Sequence, residues 1–266
     1  MSQPLFRTPK GTHDVLPQDN QYMTYIKKAV RHRARQAAFK RIDTPIFENR
    51  AIFERGIGEY TDVVEKELYL VNSKQKADDD SVAFALRPEF TASICRSYIE
   101  HGMQQLAQPV QLYSIGPCFR HDRPQKGRYR QFHQFDIETI GLKDASLDAQ
   151  LIQVCTKILG DLRILDRLTL QINNIGTNEH RIAFTQAVKD FFIGKERHLP
   201  ELDRKRLETN PLRLLDSKEE DTQILLKNAP KLSQFVDDES KAYHATVLEY
   251  LDALDIKYNA NEGLVR

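Results

Sequence analysis

Three observations predict an α+β fold for this 266-residue chain. Up to about residue 176, helical apolar spacing alternates with short runs of strand-like character, which is typical of helices mixed with antiparallel strands. The runs 112–120 and 131–140 form the clearest strand pair, joined by a loop of about ten residues. From about residue 178 to 255 the sequence is helical and highly charged. The hydrophobic content of 40% is sufficient for one large domain or two.

Local patterns predict the elements ahead of the strand pair. Apolar residues at helical spacing predict a helix over 21–39, which Asp19 or Asn20 would cap. Its polar face is basic, and we interpret it as solvated rather than as a nucleic-acid surface. The remaining predictions are a strand over 42–48 broken by Pro45, a helix over 51–55, strands over 67–71 and 82–86, and a helix over 91–100 followed by Gly102.

The second half of the chain is predicted to be mainly helical. An apolar stripe predicts a helix over 148–162, and alternation predicts a strand over 168–173. We interpret the charged region that follows as a small helical insertion, after which the chain returns to a strand near 256–258. The helices predicted within this region cover 178–192, 200–207, 219–226, 230–235 and 239–254.

The loop between the paired strands is strongly basic. Its one carboxylate, Asp122, stands among five cations, namely Arg120, Arg123, Lys126, Arg128 and Arg130. Long loops that persist in compact domains are often functional, and so many cations in a chain of net charge +1 favour phosphate binding. The alternative is an exposed, solvated loop.

The second strand of the pair has an unusual polar face. A period of two places Phe132, Gln134, Asp136 and Glu138 on one face, and the sequence supplies His133, Phe135, Ile137 and Thr139 for the other, which we expect to be core. Buried carboxylates are costly unless they are paired, so the first face suggests a site for a cationic group beside an aromatic ring.

A second candidate lies where a strand meets a helix, at Glu89 and Thr91. Thr91 could cap the helix, with Glu89 complementing the helix dipole. Alternatively, the carboxylate and the hydroxyl could bind a substrate ammonium group.

Several classes of protein are excluded or disfavoured. Neither a P-loop nor a dinucleotide-binding glycine motif is present in the sequence. Cys95, Cys118 and Cys155 have no metal-binding spacing, which fits free thiols in a reducing cytoplasm. No signal peptide or apolar membrane-spanning run is recognisable, so we expect a cytoplasmic protein without a membrane partner.

Several motifs together resemble the histidyl-tRNA synthetase family of class II aminoacyl-tRNA synthetases. Phe119-Arg120-His121-Asp122 is similar to the core of class II motif 2, and the sequence RPQKGRYRQFHQ at 123–134 is similar to the version of that motif in the histidine enzymes. Similar blocks occur at residues 9–17, 58–67, 86–91, 210–218 and 264–266. The resemblance implies an antiparallel sheet flanked by helices, with a helical insertion domain.

For ATP, the resemblance implies a set of cationic and aromatic contacts. Arg120 would bind the α-phosphate and also the carboxylate of histidine, with Arg266 approaching the phosphate from the opposite side as a second catalytic arginine. Asp122 and Arg128 would lie by the outer phosphates and Mg²⁺, and Phe132 would stack on adenine.

For L-histidine, the resemblance implies that Glu89, Thr91 and Gln134 take the α-ammonium group and Glu138 the imidazole. The implied reaction is ATP-dependent formation of histidyl-adenylate and transfer to the 3′ end of tRNA(His). Pro45 corresponds to the motif 1 proline, which implies a homodimer. Phe90 and Asp122 depart from the Gly and Glu that are common in the family.

The implied domains are a catalytic core over 1–176 (motif 1 about 40–60, motif 2 about 112–141), an insertion over 177–255 and a return to the core over 256–266. Because the resemblance ends before motif 3 and the anticodon-binding domain, we expect an N-terminal part of the enzyme. Two alternatives remain open: a synthetase-like regulatory subunit of ATP phosphoribosyltransferase, and an RNA-binding module.

Overall fold

The computed structural model describes residues 6–57, 67–71 and 83–265. The block at 58–66 and the residue Arg266 therefore lie outside the described residues. The chain divides into two compact units, one up to Lys143 and the other from Asp144. This division by packing differs from the functional boundary near residue 176, which stays a prediction.

The first unit contains three α-helices and six strands within its described residues. They are α1 (Pro17–Gln36), β1 (Lys40–Arg41), β2 (Phe47–Asn49), α2 (Arg50–Ile57), β3 (Leu70–Val71), β4 (Phe84–Leu86), α3 (Thr91–Glu100), β5 (Val110–Phe119) and β6 (Gln131–Ile140). Strand β5 pairs in parallel with β1 and antiparallel with β6, while β4 pairs antiparallel with both β2 and β3. The predicted strand pair and the predicted helix over 91–100 are confirmed.

Two boundaries near the start of the chain differ from the prediction. Helix α1 begins at Pro17 with Leu16 as its N-cap, and no side chain caps it, so the predicted cap at Asp19 or Asn20 is wrong. Proline suits the first helical position, because its missing N–H would have had no partner there and its φ is already helical.

The strand predicted over 42–48 is also wrong as a single element. The chain leaves the first sheet after β1 and enters the second at β2, so 42–46 connects two sheets. Proline has no N–H with which to continue a ladder. In addition, Arg87 Nη1 donates to the carbonyl groups of Thr44 and Pro45, at 2.7 and 3.2 Å.

One core cluster of the first unit packs on the face of the hairpin that carries Phe132, and a second one contains Phe53, Ala85 and Ala92. Helix α3 packs on the Phe132 face, with Phe90, Ile94, Leu112 and Cys118 buried in one cluster and Phe132 against it. The opposite face of β6 had been expected to be core, but its His133 is exposed and its other three members are only partly buried. The polar face and the core therefore share one side of the sheet.

The second unit is mainly helical, as predicted. Its elements are α4 (Ala145–Asp161), β7 (Gln171–Ile172), α5 (Asn178–Phe192), α6 (Glu201–Thr209), α7 (Glu220–Leu226), α8 (Asp238–Ala253) and β8 (Asn259–Ala260), with β7 and β8 paired in parallel. A 3₁₀ helix over Pro211–Asp216, which the sequence analysis did not identify, buries Leu212 and Leu214.

One buried carboxylate organises the middle of this unit. Asp203 has no exposed surface and accepts hydrogen bonds from Thr222 Oγ1 at 2.6 Å, from Arg206 Nη1 at 2.8 Å and from the Ser217 hydroxyl. Burial alone would raise the pKa of Asp203, but these three donors outweigh burial and lower it. The carboxylate thus links α6, the 3₁₀ helix and α7.

No helix in the described part of the chain is both long and apolar enough to cross a membrane.

Candidate active site

The β5–β6 hairpin carries four candidate site residues in a row along β6, namely Phe132, Gln134, Asp136 and Glu138. Its register pairs Cys118 with Phe132, Gly116 with Gln134, Ser114 with Asp136, and Leu112 with Glu138. The four β6 residues therefore lie on one face, as their alternation predicted. Six residue steps separate Phe132 from Glu138, which is about 20 Å along the strand. A row of that length has room for a nucleotide and an amino acid end to end.

Carboxylates gather at one end of this row. Thr91 Oγ1 donates to Asp136 Oδ2 at 3.4 Å. Glu89 accepts from the backbone N–H groups of Thr91 at 2.5 Å and Ala92 at 3.0 Å, so Glu89, rather than Thr91, caps helix α3. The junction therefore brings an acid and a hydroxyl to the strand face, as expected. The Glu89 carboxylate bonds the first N–H groups of α3, and the Thr91 hydroxyl bonds Asp136 instead of capping the helix.

At the acidic end, the environment raises the pKa of two carboxyl groups, Asp136 and Glu138. Burial raises the pKa of Asp136 to about 7, and the negative charges of Glu138 and Glu89 act in the same direction. Burial also raises the pKa of Glu138. Near neutral pH, Asp136 and Glu138 consequently retain a proton between them. A cationic ligand placed here would take over the role of that proton.

The cationic end is formed by Arg120. Its Nε donates to the carbonyl oxygen of Pro88 at 3.0 Å, and its guanidinium carbon lies 5.3 Å from the centroid of the Phe132 ring. Within the described residues, neither terminal nitrogen of Arg120 has a protein acceptor. Such a guanidinium is suited to bind a carboxylate or phosphate with both nitrogens.

The basic loop between β5 and β6 is held together by hydrogen bonds and an ion pair of its own residues. Asp122 Oδ2 bonds Arg128 Nη1 at 2.7 Å, and Asp122 Oδ1 accepts from the Arg123 backbone N–H at 2.6 Å. The expected neighbours Asp122 and Arg128 are thus together, but as an ion pair. Among the described residues, no group of three or more His, Cys, Asp or Glu side chains is arranged to hold a metal ion.

The segment around Gly11 packs against the end of the basic loop at residues 129 and 130. The Gly11 carbonyl oxygen accepts from Arg130 N at 2.7 Å, and His13 packs on Tyr129 with ring centroids 4.7 Å apart. Gly11 has φ +85°, and a Cβ there would lie 2.7 Å from Arg130 Cγ. Only glycine fits this close approach without strain. The sequence analysis noted the segment but not this contact.

The predicted site residues therefore fall into two groups. Glu89, Thr91 and Glu138 lie at the acidic end, whereas the cationic end and its loop contain Arg120, Asp122, Arg128 and Phe132, with Gln134 between the two ends. Arg266 lies outside the described residues. The sequence placed Asp136 on the correct strand face, as one of two carboxylates for a cationic group, but the resemblance gave it no specific contact. The sequence analysis did not identify Arg87, because a single arginine before a proline belongs to no periodic pattern that would indicate a buried side chain.

Comparison with known proteins identifies the family. Residues 11–190 match the sequence model of the family described as histidyl-tRNA synthetase. This chain belongs to the histidyl-tRNA synthetase family. The histidine–tRNA ligase of Thermosynechococcus vestitus is 42% identical over 260 residues, which cover 98% of this chain and 59% of that protein. The chain thus spans about three fifths of the length of this relative.

Solved structures agree with the family at the level of the fold. The apo histidyl-tRNA synthetase of S. aureus superposes with a TM-score of 0.74 at 34% identity, covering 98% of this chain and 58% of that chain. A Bacillus halodurans protein titled ATP phosphoribosyltransferase regulatory subunit/histidyl-tRNA synthetase superposes with a TM-score of 0.61 at 18% identity, which shows the fold alone. The fold is that of the class II aminoacyl-tRNA synthetases.

Proposed function

We propose that this protein is a histidine–tRNA ligase, which activates L-histidine with MgATP and transfers it to the 3′ end of tRNA(His). The observation that carries the proposal is the row on β6. A carboxylate cluster lies at one end of it, and at the other end lies Arg120, whose terminal nitrogens have no acceptor among the described residues. A zwitterionic amino acid with a basic side chain and an anionic nucleotide have the complementary charges.

At the cationic end, Arg120 would bind the α-phosphate of ATP together with the histidine carboxylate. Attack of a carboxylate on a phosphate brings two anions together, so a preorganised cation lowers the barrier. Phe132 would stack on adenine. Asp122 and Arg128 would lie by the outer phosphates and their Mg²⁺, which requires their 2.7 Å ion pair to open. Arg266 is proposed as the second arginine at the phosphate.

At the acidic end, Glu138 would take the imidazole, and Glu89, Thr91 and Gln134 the α-ammonium group. A site built from polar partners rejects ligands that lack the matching groups, because its own groups would then be left unpaired. Selectivity for histidine over isosteric apolar amino acids follows from this. The histidyl-adenylate would then be attacked by a ribose hydroxyl of the tRNA, without any covalent enzyme intermediate.

Residues 1–176 are proposed as catalytic core, 177–255 as the insertion and 256–266 as the return to the core. A homodimer is proposed through the segment around Pro45, which is supported by the exposure of Ile46 and Phe47. The substitution Ile46→Glu is expected to lower the mass measured by sedimentation to that of one chain. A cytoplasmic location is proposed because none of the three cysteines forms a disulfide.

The deciding experiment is histidine-dependent exchange between ATP and labelled pyrophosphate, using the protein as expressed from its own gene. Exchange with histidine and not with other amino acids is expected. Glu138→Gln should raise the KM for histidine, whereas Glu249→Gln, at an exposed position on α8, should not. No exchange by the wild type would refute the proposal and favour the regulatory-subunit alternative.

A further inference from the structure

Arg87 is a buried arginine that links two sheets. Only 5% of its surface is exposed. Its Nη1 donates to the carbonyl oxygen of Thr44 at 2.7 Å, in the segment that leads into β2, and its Nε donates to the carbonyl oxygen of Pro117 at 2.9 Å, in β5. One side chain therefore sets the separation between the connecting segment and the hairpin that bears the site.

The main chain at Arg87 reinforces the same link. Arg87 N donates to the Ile46 carbonyl at 2.8 Å, and the Arg87 carbonyl accepts from Phe119 N at 3.0 Å. Arg87 is thus bonded on both sides through its backbone and its side chain. Two of these hydrogen bonds, from Arg87 Nε to Pro117 and from Phe119 N to the Arg87 carbonyl, join Arg87 to the end of β5 that leads into Arg120.

The two residues that follow Arg87 position both ends of the site. The carbonyl oxygen of Pro88 accepts the hydrogen bond from Arg120 Nε, and Glu89 caps α3 beside the acidic cluster. A shift of Arg87 would move the acceptor that orients the Arg120 guanidinium. Displacement of a positioned catalytic group by about 1 Å can cost about 100-fold in rate.

The surroundings of Arg87 leave little room for any other arrangement. Its guanidinium carbon lies 4.3 Å from the centroid of the Phe90 ring. A Cβ added to Gly116 would lie 2.9 Å from Arg87 Nη2 and 3.5 Å from Phe90 Cζ. The planar group is therefore confined between an aromatic ring and the bare backbone of β5 at Gly116.

We propose that Arg87 is a positioning residue for histidine activation, which holds Pro88 and thereby aims Arg120 at the reacting phosphate. The proposal rests on the function proposed above. The role requires a guanidinium, because its nitrogens reach the two carbonyl groups in fixed directions. A lysine would keep the charge, but all its donors are on one nitrogen at the end of a flexible chain. It would therefore not reproduce the two bonds that Nε and Nη1 make in fixed directions.

The test compares Arg87→Lys with Arg96→Lys in the pyrophosphate-exchange assay. Arg96 is a suitable control because its guanidinium also bridges two partners in the same unit, Glu48 at 2.6 Å and Glu100 at 2.5 Å, with no bond to Pro88 or Arg120. Rates are to be expressed per active site titrated, so that loss of folded protein does not count as loss of rate.

For Arg87→Lys we expect kcat to fall about 30- to 100-fold while the KM for histidine changes less than about threefold. For Arg96→Lys we expect a lower melting temperature with kcat unchanged. Equal kcat values per active site in the two variants would overturn the proposal, since Arg87 would then be only structural. Absence of exchange in the wild type would instead refute the proposed function and this proposal with it.

Gly116→Ala provides a second variant if Arg87→Lys does not fold. It removes none of the hydrogen-bonding groups of Arg87. The new Cβ would, however, lie 2.9 Å from Arg87 Nη2, and among the described residues its near neighbours are Arg87 and Phe90. A reduced kcat per active site is expected. An unchanged kcat in folded Gly116→Ala would overturn the proposal.

Discussion

The carboxylate cluster predicts an unusual effect of pH on stability. Asp136 titrates with a pKa of about 7 in the folded protein, against a usual value of 3.8, because it is buried and lies beside Glu138 and Glu89. Between these two pH values the folded protein binds more protons than the unfolded chain, so the free energy of unfolding falls as pH rises through that window. The substitution Asp136→Asn keeps the shape of the side chain and removes this dependence.

The size of the effect follows from the two pKa values. The interval from 3.8 to about 7 corresponds to about 4 kcal/mol for one isolated group. Since the side chain is only half-buried and shares its proton with Glu138, we expect about 1–2 kcal/mol to be realised. At pH 8, Asp136→Asn should therefore melt about 3–6 °C above the wild type. At pH 5, where Asp136 is already protonated, the two proteins should melt together.

The assay is thermal unfolding followed by circular dichroism at pH 5, 6, 7 and 8. A suitable control is Asp144→Ala, because hydrogen bonds from the Ser146 hydroxyl and N–H lower the pKa of Asp144 at the start of α4. A carboxyl with a lowered pKa stabilises the fold at every pH above its usual value of 3.8, and this contribution is lost only as the pH falls below that value. Because all four assay pH values lie above 3.8, the control should be destabilised to the same extent at each of them. Equal stability of Asp136→Asn and wild type at pH 8 would refute the reasoning.

Four further substitutions test other parts of the structure. Glu138→Gln should weaken histidine binding about 10- to 100-fold by calorimetry, since a bond to a charged group is lost; unchanged affinity would place the imidazole elsewhere. Arg120→Ala should lower pyrophosphate exchange about 100- to 1,000-fold with an unaltered circular dichroism spectrum. Gly11→Ala should lower stability by about 1–2 kcal/mol in urea, because φ is +85° and the new Cβ would meet Arg130. Asp203→Ala should cost about 2–4 kcal/mol, since two buried hydroxyl groups and the partly buried Arg206 would lose their acceptor, and a urea midpoint like that of the wild type would contradict this.

The hairpin was predictable because its information is local. Alternation from Gln131 to Ile140 determines which side chains share a face whatever packs on them, and the paired strand follows in register. Helix α3 was predictable for the same reason, since its apolar spacing and its glycine-terminated end lie within one short stretch. The placement of the four residues on one face of β6 was therefore predictable from the amino-acid sequence alone, whereas their roles stay predictions.

The features that were not predicted depend on contacts distant in sequence. Arg87 and Thr44 are 43 residues apart, and nothing near either residue indicates that a guanidinium bonds the carbonyl groups of a chain between two sheets. The same contact explains why 42–46 is not strand, since its carbonyls are bonded by a side chain. Alternation also cannot say which face of a strand is covered, and so the core was assigned to the side of His133.

That error bears on how the site works. Because α3 covers the face with the carboxylates, the helix that builds the core also removes water from Asp136 and Glu138 and brings Glu89 close to both. The fold thus holds Asp136 and Glu138 near a third acid, Glu89, in surroundings that disfavour the charges of the first two. A bound cation would relieve this repulsion. Under the proposed function, a ligand with basic groups at both the side chain and the α-amino position would relieve it most. Stability and selectivity would then oppose each other at these residues: neutralising one acid is expected to stabilise the empty protein, and the same change is expected to weaken the proposed preference for histidine.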